Sequence, residues 1–450
     1  MHIDRLIKNM ELISKQEAII FQDKIYYYKD ILNQIEVWEQ RLKLHNIEKG
    51  KVVSIISDYS PEAISVIIAL IRNQNIIVPL SPSTEVQSSD FHNISYTQHI
   101  IELLGDHRYQ IEKKDSTPAN NLILRNLIEN KHAGLILFTS GSSGKPKAVV
   151  HDFEKLLIKF QHSKKNYRTL CFMLFDHIAG IDSYFYCLFS GGMAIYPVSR
   201  NPAAICKLIE KHKVEVLPTS PTFLNLLLIS EEYKKYDLSS LEIITFGSER
   251  MHSLLLDKIK NVFPGVKLIQ KYGVTELGSP PSKTKPEDST WIKIDSDQFQ
   301  TRIIDDILYI KTETAMLGYL NAPSPFTADG WYNTGDTVIV DGEYLQIIGR
   351  KSEIINVGGE KVYPAEVEEI IQSLSNVDEV VVYGEKNVIM GQIVCAKVTL
   401  LEEEDSSQFS KRLKKYCKDK LEPYKIPVKI KITKNKLHNT RFKKIRQPIH

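Results

Sequence analysis

The feature that most constrains this chain is the stretch FTSGSSGKPKAVVHD, which runs from Phe138 to Asp152. It follows a short apolar run, residues 134–138, that predicts a buried strand. Nine consecutive positions then hold four hydroxyl residues, two glycines and two lysines. Glycine lets the backbone approach an anion closely, while hydroxyl and main-chain N–H groups donate to phosphate oxygens and lysine supplies charge. The composition therefore predicts a polyphosphate-binding loop, with Lys145 or Lys147 as its cation.

This loop is not the Walker loop, because the first glycine and the final Lys-Ser/Thr of GxxxxGK[ST] are absent. The alternative interpretation is a mobile Gly/Ser surface loop. The stretch resembles the phosphate loop, (S/T)SG(S/T)TGxPKG, of the adenylate-forming superfamily of acyl- and aryl-CoA synthetases, stand-alone adenylation domains and luciferases. The resemblance covers residues 18–450. It implies that ATP is bound by Thr139, Ser140, Gly141, Ser142, Ser143, Gly144 and Lys147.

The motif YGVTE, Tyr272 to Glu276, combines an aromatic ring, a glycine, a hydroxyl and a carboxylate. By similarity to the superfamily's YGxTE, Tyr272 would stack on adenine beside Gly273. The same similarity implies that Thr275 donates to the α-phosphate and that Glu276 holds Mg²⁺ between phosphates. A hard cation prefers carboxylate oxygen and keeps several waters, so one glutamate plus ATP oxygens is chemically sufficient. Taken alone, the five residues would also suit an ordinary turn.

Two shorter motifs complete the resemblance to a nucleotide site. FGSER, residues 246–250, resembles the GGxP/GGEA loop whose backbone lines the adenine site and one wall of the acyl pocket. It implies nucleotide contacts from Gly247, Ser248 and Glu249. YNTGD, residues 332–336, resembles Y(R/K)TGD, in which the aspartate, here Asp336, accepts both ribose hydroxyls. The competing interpretation of Asp336 is a turn-capping residue.

The longest match is GRKSEIINVGGEKVYPAEVEEII, residues 349–371, which resembles the superfamily's hinge and the loop after it. The resemblance implies that Arg350 contacts ribose or phosphate. It also implies that Gly358 and Gly359 let the backbone lie against the pantetheine arm of a thiol. The hinge position that is often aspartate is Ser352 here. Because a hinge needs permissive backbone angles and not a carboxylate, rotation remains the expectation.

Near the carboxyl end, HNTRFKKIRQ resembles PxTxxGKIxR and aligns the superfamily's catalytic lysine with Lys444. The motif is degenerate, since the family's glycine is Lys443 and its final arginine is Gln447. Lys443 is therefore kept as the alternative. The chemistry requires a permanent cation beside the attacking carboxylate and the α-phosphate, where negative charge develops as pyrophosphate leaves.

The acid substrate is expected near FDHIAG, residues 175–180, which can be read in two registers. His177 with Gly180 matches the HxxG of acyl- and aryl-CoA synthetases. Phe175 with Asp176 instead imitates the FD of amino-acid-activating domains, whose aspartate pairs with an α-amino group. We favour the HxxG register, although His177 would also suit a satisfied core histidine.

Composition narrows the class of protein. At 450 residues and 42% hydrophobic content the chain exceeds one ordinary domain, so two or more are expected. Its five cysteines lie far apart, which predicts buried thiols and neither a zinc site nor a disulfide framework. A net charge of +3 is too small to indicate a nucleic-acid partner. The basic stretch from Lys411 onward is either a solvated face or a surface that meets an anion.

The pattern of apolar residues predicts the fold. VVSIISD, PEAISVIIALIRN and IIVPL predict the strand, helix and strand of a right-handed crossover into a parallel sheet. The alternation returns over residues 169–272, beginning with a strand at 169–175, and predicts doubly wound α/β sheets with a ligand crevice at the strands' carboxyl ends. Residues 84–130 give little signal, residues 279–300 predict irregular chain, and a small β-rich subdomain follows. We predict an adenylation domain over residues 1–350 and a mobile α+β domain over residues 351–450.

Together these motifs predict an ATP-dependent acid–thiol ligase that forms an acyl-adenylate, releases pyrophosphate and transfers the acyl group to CoA or a carrier-protein phosphopantetheine. The alternatives are a stand-alone amino-acid adenylation domain and a binding protein that keeps the nucleotide site without turnover. The expected cofactors are ATP and Mg²⁺, and the expected partners are a small carboxylic acid and an acyl carrier protein. Without a signal peptide or an apolar run long enough to span a bilayer, we expect a cytoplasmic protein.

Overall fold

The computed structural model describes residues 2–82, 88–117, 121–140, 146–160, 165–286, 290–294, 297–439, 442, 444 and 445, with only the backbone for Ser88 and Ser140. The helices are α1 (His2–Leu12), α2 (Tyr28–Leu44), α3 (Pro61–Arg72), α4 (Ser88–Ile94), α5 (Leu122–Glu129), α6 (Phe153–Leu156), α7 (Ile178–Phe189), α8 (Pro202–His212), α9 (Pro221–Ser230), α10 (Ser253–Val262), α11 (Pro364–Gln372) and α12 (Ser406–Lys418). Short 3₁₀ turns occupy Leu157–Phe160, Glu232–Lys234, Lys351–Glu353 and Pro423–Lys425.

The strands are β1 (Glu17–Phe21), β2 (Lys24–Tyr27), β3 (Val52–Ile56), β4 (Ile76–Leu80), β5 (His99–Gly105), β6 (Arg108–Lys113), β7 (Gly134–Ser140), β8 (Pro146–Asp152), β9 (Arg168–Leu170), β10 (Met193–Tyr196), β11 (Val216–Thr219), β12 (Ile243–Gly247), β13 (Lys267–Lys271), β14 (Ser282–Thr284), β15 (Ile292–Ile294), β16 (Phe299–Ile304), β17 (Ile307–Thr312), β18 (Gly318–Tyr319), β19 (Tyr332–Asp341), β20 (Tyr344–Arg350), β21 (Ile355–Val357), β22 (Glu360–Val362), β23 (Val377–Asn387), β24 (Gly391–Leu400) and β25 (Lys429–Ile432).

Two seven-stranded sheets organise the larger part of the molecule. The first has the order β13-β12-β11-β9-β10-β1-β2 and is parallel except for the edge strand β2. The second has the order β18-β8-β7-β4-β3-β5-β6, with a parallel centre and antiparallel pairs at both edges. This arrangement confirms the predicted α/β class with doubly wound sheets.

Helix α3 lies between the two sheets and shows how the sequence produces the central layer. The Ser60 hydroxyl accepts the Ala63 N–H, and Pro61 occupies the first helical position, so the start of the helix is well defined. Every residue from Pro61 to Ile71 is buried, as expected for a helix that is apolar on all sides. Its side chains share one core with those of α2 and α7 and with both sheets.

Two smaller sheets follow along the chain. The third sheet is antiparallel, has the order β14-β15-β20-β19-β17-β16, and forms the predicted β-rich subdomain. The fourth has the order β22-β21-β24-β23, with β25 added beside β24, and packs against α11 and α12 around its own apolar core. We call this last unit the small domain and the chain before it the large domain. A boundary at residues 350–352 stays a prediction.

Three sequence expectations need correction. Residues 84–130 contain an ordered hairpin, β5 and β6, which the weak apolar pattern did not reveal because β6 is mostly exposed. The strand predicted at residues 169–175 ends at Leu170, because in the described chain only the Cys171 N–H continues its pairing, to Ile195, and the apolar residues that follow are buried by side-chain packing. The segment 279–300, predicted to be irregular, contains the short strands β14 and β15.

The five cysteines are buried free thiols, as predicted. In the described residues, no helix is long and apolar enough to cross a membrane.

Truncation of Trp38 should test the central layer. Trp38 is 1% exposed, and its ring contacts Tyr109 at 5.0 Å between centroids and the Arg41 guanidinium at 4.7 Å. We expect Trp38→Ala to lower the free energy of unfolding by about 3–5 kcal/mol, because a large cavity remains. The measurement is urea unfolding followed by far-UV circular dichroism. Val37→Ala, on the exposed face of the same helix, is the control, and equal losses in both variants would contradict the packing described here.

Candidate active site

The phosphate-loop stretch joins the antiparallel strands β7 and β8 of the second sheet. Ser140 pairs with Pro146, and Thr139 lies opposite Lys147, so both residues flank the loop. The predicted ligands Gly141, Ser142, Ser143 and Gly144, and the alternative cation Lys145, lie outside the described residues. The Lys147 ammonium lies 5.2 Å from the centroid of the Tyr319 ring. A cation therefore stands at the carboxyl side of the loop, where a phosphate-binding role requires one.

Two predicted nucleotide ligands meet around the carboxylate of a third, Asp336. The Tyr272 hydroxyl donates to Asp336 Oδ2 at 2.7 Å, and Arg350 Nε lies 3.2 Å from Asp336 Oδ1. Asp336 and Arg350 are paired across β19 and β20 of the third sheet, whereas Tyr272 comes directly after β13 of the first. The three motifs, which lie far apart in sequence, thus converge as the resemblance implies.

Burial dominates the electrostatics of this cluster. Asp336 is 5% exposed, and burial raises the pKa of its carboxyl group, while the Arg350 charge opposes the rise. Burial, followed by the neighbouring Asp336 charge, also raises the pKa of Tyr272, which therefore stays a hydrogen-bond donor. A carboxylate has about four acceptor positions. With one donor and one cation in place, Asp336 retains capacity for the hydroxyl groups of a ribose.

Glu276 faces the phosphate-loop hairpin. Its Oε1 accepts the Tyr319 hydroxyl at 2.6 Å, and Tyr319 is the residue whose ring lies beside Lys147. Among the described residues, no group of three or more histidine, cysteine or acidic side chains could hold a metal ion. Glu276 alone suits a magnesium ion that takes its remaining ligands from nucleotide phosphates and water, and it does not suit a metal bound by protein alone.

His151 connects the phosphate-loop hairpin to the YGVTE loop, a role that the sequence analysis missed. It lies on β8, is 1% exposed, and its Nε2 is 2.7 Å from the main-chain oxygen of Thr275. Because a carbonyl oxygen only accepts, Nε2 must carry the hydrogen. Burial lowers the pKa of His151 to about 4, so the ring is neutral near pH 7. The only sequence signal was its position within the stretch Phe138 to Asp152.

The FGSER loop ends β12 and faces the carboxyl-terminal segment. A Cβ on Gly247 would lie 2.4 Å from the Lys271 carbonyl oxygen, so close approach of β12 to β13 requires glycine there. Ser248 adopts a positive φ of 67°. Glu249 accepts the Thr222 hydroxyl at 2.5 Å through Oε2 and the main-chain N–H of Lys444 at 2.6 Å through Oε1. Both carboxylate oxygens of Glu249 thus bond to the protein.

The two registers of FDHIAG differ in where their polar side chains lie. Asp176 is buried and accepts the main-chain N–H of Ser81 at 3.3 Å. His177 is half-buried at the start of α7, where its Nδ1 accepts the Ala179 N–H at 3.3 Å. A Cβ on Gly180 would lie 2.0 Å from the Leu174 carbonyl oxygen, so this glycine is required for packing. The backbone contact of Asp176 favours the HxxG register.

A charge pair that the sequence analysis did not identify lies on the same side of the site. Lys159 Nζ donates to Asp182 Oδ1 at 2.6 Å, and the two side chains are only 12% and 13% exposed. Asp182 lies on α7, and a Cβ on Gly278, at the end of YGVTELG, would lie 3.4 Å from Lys159 Nζ. The pair therefore joins the turn Leu157–Phe160 to the helix after His177, and it borders the loop that carries Glu276.

The predicted thiol loop is the turn between β21 and β22. Gly358 and Gly359 have φ angles of 61° and 96°, which favour glycine at both positions. The Gly358 N–H donates to the Met390 carbonyl at 2.8 Å, whereas no described atom lies within 4 Å of a Cβ built on Gly359. One glycine is packed and the other borders open space.

Lys444 lies between the two domains. Its Nζ donates to Glu368 Oε2 of the small domain at 3.0 Å, while its main-chain N–H bonds to Glu249 of the large domain. Thr440, which aligns with the threonine of PxTxxGKIxR, lies outside the described residues. The alternative lysine, Lys443, also lies outside them. The structure thus brings Lys444 to the FGSER loop, with its ammonium group paired to a carboxylate.

Comparison with known proteins identifies the family. The AMP-binding enzyme family model matches residues 11–295, and the model of the AMP-binding enzyme C-terminal domain matches residues 366–444. The chain belongs to the AMP-binding enzyme family. This AMP-binding enzyme is 25% identical to the 2-succinylbenzoate–CoA ligase of Enterococcus faecalis over 94% of its own length and 93% of that protein. The match confirms the resemblance to the adenylate-forming superfamily.

Solved structures support the fold of this AMP-binding enzyme. An anthranilate CoA ligase in complex with anthranoyl-AMP superposes with a TM-score of 0.83 at 19% identity, covering 99% of this chain and 95% of that one. The o-succinylbenzoate CoA synthetase of Bacillus subtilis, with its acyl-adenylate intermediate, superposes with a TM-score of 0.81 at 20% identity, covering 98% and 96%. The AMP-binding enzyme therefore has the two-domain architecture of adenylate-forming enzymes.

The buried His151 predicts a specific loss of stability in acid. The folded ring binds a proton with a pKa of about 4, compared with an ordinary value of 6.5. Between these values the unfolded chain binds more protons, so stability present above pH 6.5 is lost as the pH falls. From pH 7 to pH 5 we expect His151 to remove about 2 kcal/mol from the free energy of unfolding.

The measurement is urea unfolding at both pH values for the native chain and His151→Gln, whose amide can still donate to Thr275 but does not titrate. Other histidines titrate equally in both proteins, so the difference between their pH dependences isolates His151. An unchanged pH dependence in the variant would show that the pKa of His151 is the same in the folded and the unfolded chain.

Proposed function

We propose that this AMP-binding enzyme activates a non-amino carboxylic acid with Mg·ATP and transfers the acyl group from the adenylate to the thiol of CoA. The observation that carries the proposal is the convergence of Tyr272 and Arg350 on the Asp336 carboxylate. The Asp336 carboxylate is connected to the phosphate-loop hairpin through the YGVTE loop, which contains Tyr272 and is bonded to His151. Two relatives are named as 2-succinylbenzoate–CoA ligases, and the o-succinylbenzoate CoA synthetase structure contains an acyl-adenylate intermediate, which supports the same reaction class.

In the first half-reaction a carboxylate oxygen attacks the α-phosphorus, and the bond from that phosphorus to the bridging oxygen breaks so that pyrophosphate leaves. Asp336 accepts the ribose hydroxyls, and the ring of Tyr272 stacks on adenine. Thr275 donates to the α-phosphate, and Lys147 balances the charge of the phosphates. Glu276 would supply one carboxylate to Mg²⁺, which offsets phosphate charge when bound.

Lys444 serves the same half-reaction as the permanent cation. Negative charge develops at the α-phosphate while the bond to pyrophosphate breaks, and a preorganised cation lowers the barrier most at that point. The contact between its main chain and Glu249 of the FGSER loop supports this assignment, because the backbone of that loop, at Gly247 and Ser248, is proposed to line the adenine site.

The acid is expected to lack an α-amino group. Recognition of an ammonium group would require a free carboxylate, and Asp176 bonds to the main chain of Ser81. The approach to the substrate carboxylate is therefore assigned to His177, at the start of α7.

In the second half-reaction the small domain, residues 351–450, turns at the hinge that begins after Arg350. The open space at Gly359 supports a path for the pantetheine arm of the thiol. CoA is the preferred acceptor, because the relatives are named as CoA ligases. A carrier-protein phosphopantetheine remains the second candidate, favoured by the lysines and arginine on α12.

The products of ATP cleavage test the reaction class. Mg·ATP with the correct acid should release pyrophosphate, because the described site and its motifs match enzymes in which the acid attacks the α-phosphorus. AMP should follow when the thiol displaces it from the acyl-adenylate. The measurement is ATP–pyrophosphate exchange screened over fatty, aromatic and amino acids. Production of ADP would refute the proposal. Exchange supported by an α-amino acid and abolished in Asp176→Ala would reverse the register assigned to His177.

Lys444→Ala tests the division of labour between the half-reactions. Loss of a preorganised charge-assisted contact should slow adenylation by roughly 10²–10³-fold. Thioester formation from chemically supplied acyl-adenylate should survive, because it requires the other orientation of the small domain. Both rates are measured by rapid quench under single-turnover conditions.

Two further variants give this test its controls. Gly359→Leu places a side chain in the proposed thiol path, so it should spare adenylation and block transfer. Lys443→Ala should have little effect on either step. If Lys443→Ala abolishes adenylation while Lys444→Ala does not, the alignment is wrong by one residue. If neither variant abolishes adenylation, neither lysine is the catalytic cation.

A further inference from the structure

The carboxyl-terminal segment 437–445, called here the lysine segment, is bonded to the small domain at its base. Its described residues are 437–439, 442, 444 and 445. Glu379 on β23 accepts the Leu437 N–H at 2.9 Å and lies 2.5 Å from His438 Nδ1. The Ile445 N–H donates to the Leu437 carbonyl at 2.8 Å, which closes the segment on itself. These contacts lie within the small domain.

The tip of the lysine segment instead packs on the large domain. The Phe442 ring lies 5.3 Å from Phe172 and 5.6 Å from Phe223, measured between centroids. Its carbonyl oxygen accepts the Ser220 hydroxyl at 3.3 Å. Since Phe172 and Phe223 belong to the core on the outer face of the first sheet, the tip has a rigid support.

Lys444 is held from both sides by carboxylates. Glu249 of the large domain accepts its main-chain N–H at 2.6 Å, and Thr222 donates to the other oxygen of Glu249, which fixes that carboxylate. Glu368 of the small domain accepts the Lys444 ammonium group at 3.0 Å and the Val382 N–H at 3.0 Å. The backbone of Lys444 is therefore positioned by one domain and its side chain by the other.

A second carboxylate crosses between the domains nearby. Helix α10 of the large domain begins at Ser253, after His252, whose side chain makes no capping hydrogen bond in the described chain. Glu369 on α11 supplies that cap. Its Oε1 accepts two hydrogen bonds from Ser253, one from the main-chain N–H at 3.0 Å and one from the hydroxyl at 2.6 Å. An anionic group at a helix amino terminus is favourable, so this contact stabilises the observed orientation of the two domains.

We propose that Glu249 is a positioning residue for Lys444, and that Glu249 and Glu369 together hold the small domain in its adenylating orientation. The proposal rests on the role given to Lys444 under the proposed function. Bonds from Glu368 and Glu379 lie within the small domain and travel with it. Bonds from Glu249 and Glu369 cross the interface, so they must break before the small domain can turn to admit the thiol.

The strength of these bonds sets the expected effect. Each is a charge-assisted hydrogen bond, and such bonds have roughly twice the strength of neutral ones. Removing one should shift the balance between the two orientations by about tenfold, because only one orientation contains the bond. Glu249 is thereby reassigned from the nucleotide, to which the FGSER resemblance assigned it, to the segment that carries the catalytic cation.

Single-turnover kinetics of the two half-reactions test the proposal in the full-length enzyme. Glu249→Ala and Glu369→Ala should each slow adenylation about tenfold and leave thioester formation from supplied acyl-adenylate unchanged or faster. Glu249→Gln should recover part of the adenylation rate, since its amide oxygen can still accept the Lys444 N–H. Glu366→Ala is the matched control, because Glu366 lies on the same helix but pairs with Lys425 inside the small domain. Equal losses in both half-reactions, or a comparable loss in Glu366→Ala, would overturn the proposal.

Amide hydrogen exchange without ligands supplies a readout that does not depend on activity. Peptides covering residues 437–445 and the start of α10 should exchange faster in Glu249→Ala and Glu369→Ala, and at the native rate in Glu366→Ala. Unchanged exchange in the first two variants would overturn the inference whatever the enzyme's substrate. If no acid supports pyrophosphate exchange, the proposed function fails, while the exchange data still decide whether these carboxylates hold the domains together.

Discussion

The hydrogen bond from His151 to the main chain of Thr275 joins the two large sheets where the site is built. His151 belongs to β8 of the second sheet, and Thr275 follows β13 of the first. His151 is buried and Thr275 is half-buried, so breaking the bond would leave a buried donor without its partner. With the loop fixed in this way, Glu276 reaches Tyr319, whose ring lies beside Lys147, while Tyr272 reaches Asp336 on the third sheet.

Different interactions stabilise the interior of the large domain and the interface between the two domains. The helices between the sheets bury continuous apolar surface, which opens only on unfolding. At the interface the contacts of Glu249 and Glu369 are polar, and water can replace each hydrogen bond when the surfaces separate. Phe442 is the apolar exception among the described contacts of the lysine segment. An interface of this kind can hold one orientation and still release it within a catalytic cycle.

Much of this architecture was predictable from local pattern, and the exceptions have physical causes. The strand–helix–strand pattern of residues 52–80 predicted α3 and the crossover from β3 to the parallel strand β4, and both are present. The resemblance assigned Tyr272, Asp336 and Arg350 to one nucleotide site, and these three side chains lie together. The hairpin β5–β6 escaped prediction because an edge strand exposed to solvent needs no apolar alternation. The sequence did not reveal the roles of His151, Glu368 and Glu369, because their partners are distant in sequence. Some of these partners are main-chain groups, which no particular residue type marks.

The glycines show that a sequence motif alone does not say why glycine is required at a position. Gly180 and Gly247 each face a carbonyl oxygen closer than any side chain would tolerate, so packing alone requires them. Gly359 borders open space and has a positive φ, which leaves room for a ligand to approach the backbone. Sequence resemblance treats all three as site residues. Their surroundings divide them into two groups: Gly180 and Gly247 shape the walls of the large domain, whereas Gly359 keeps a surface of the small domain clear. A substitution at either of the first two should therefore disturb both half-reactions through the fold, and a substitution at Gly359 should separate them.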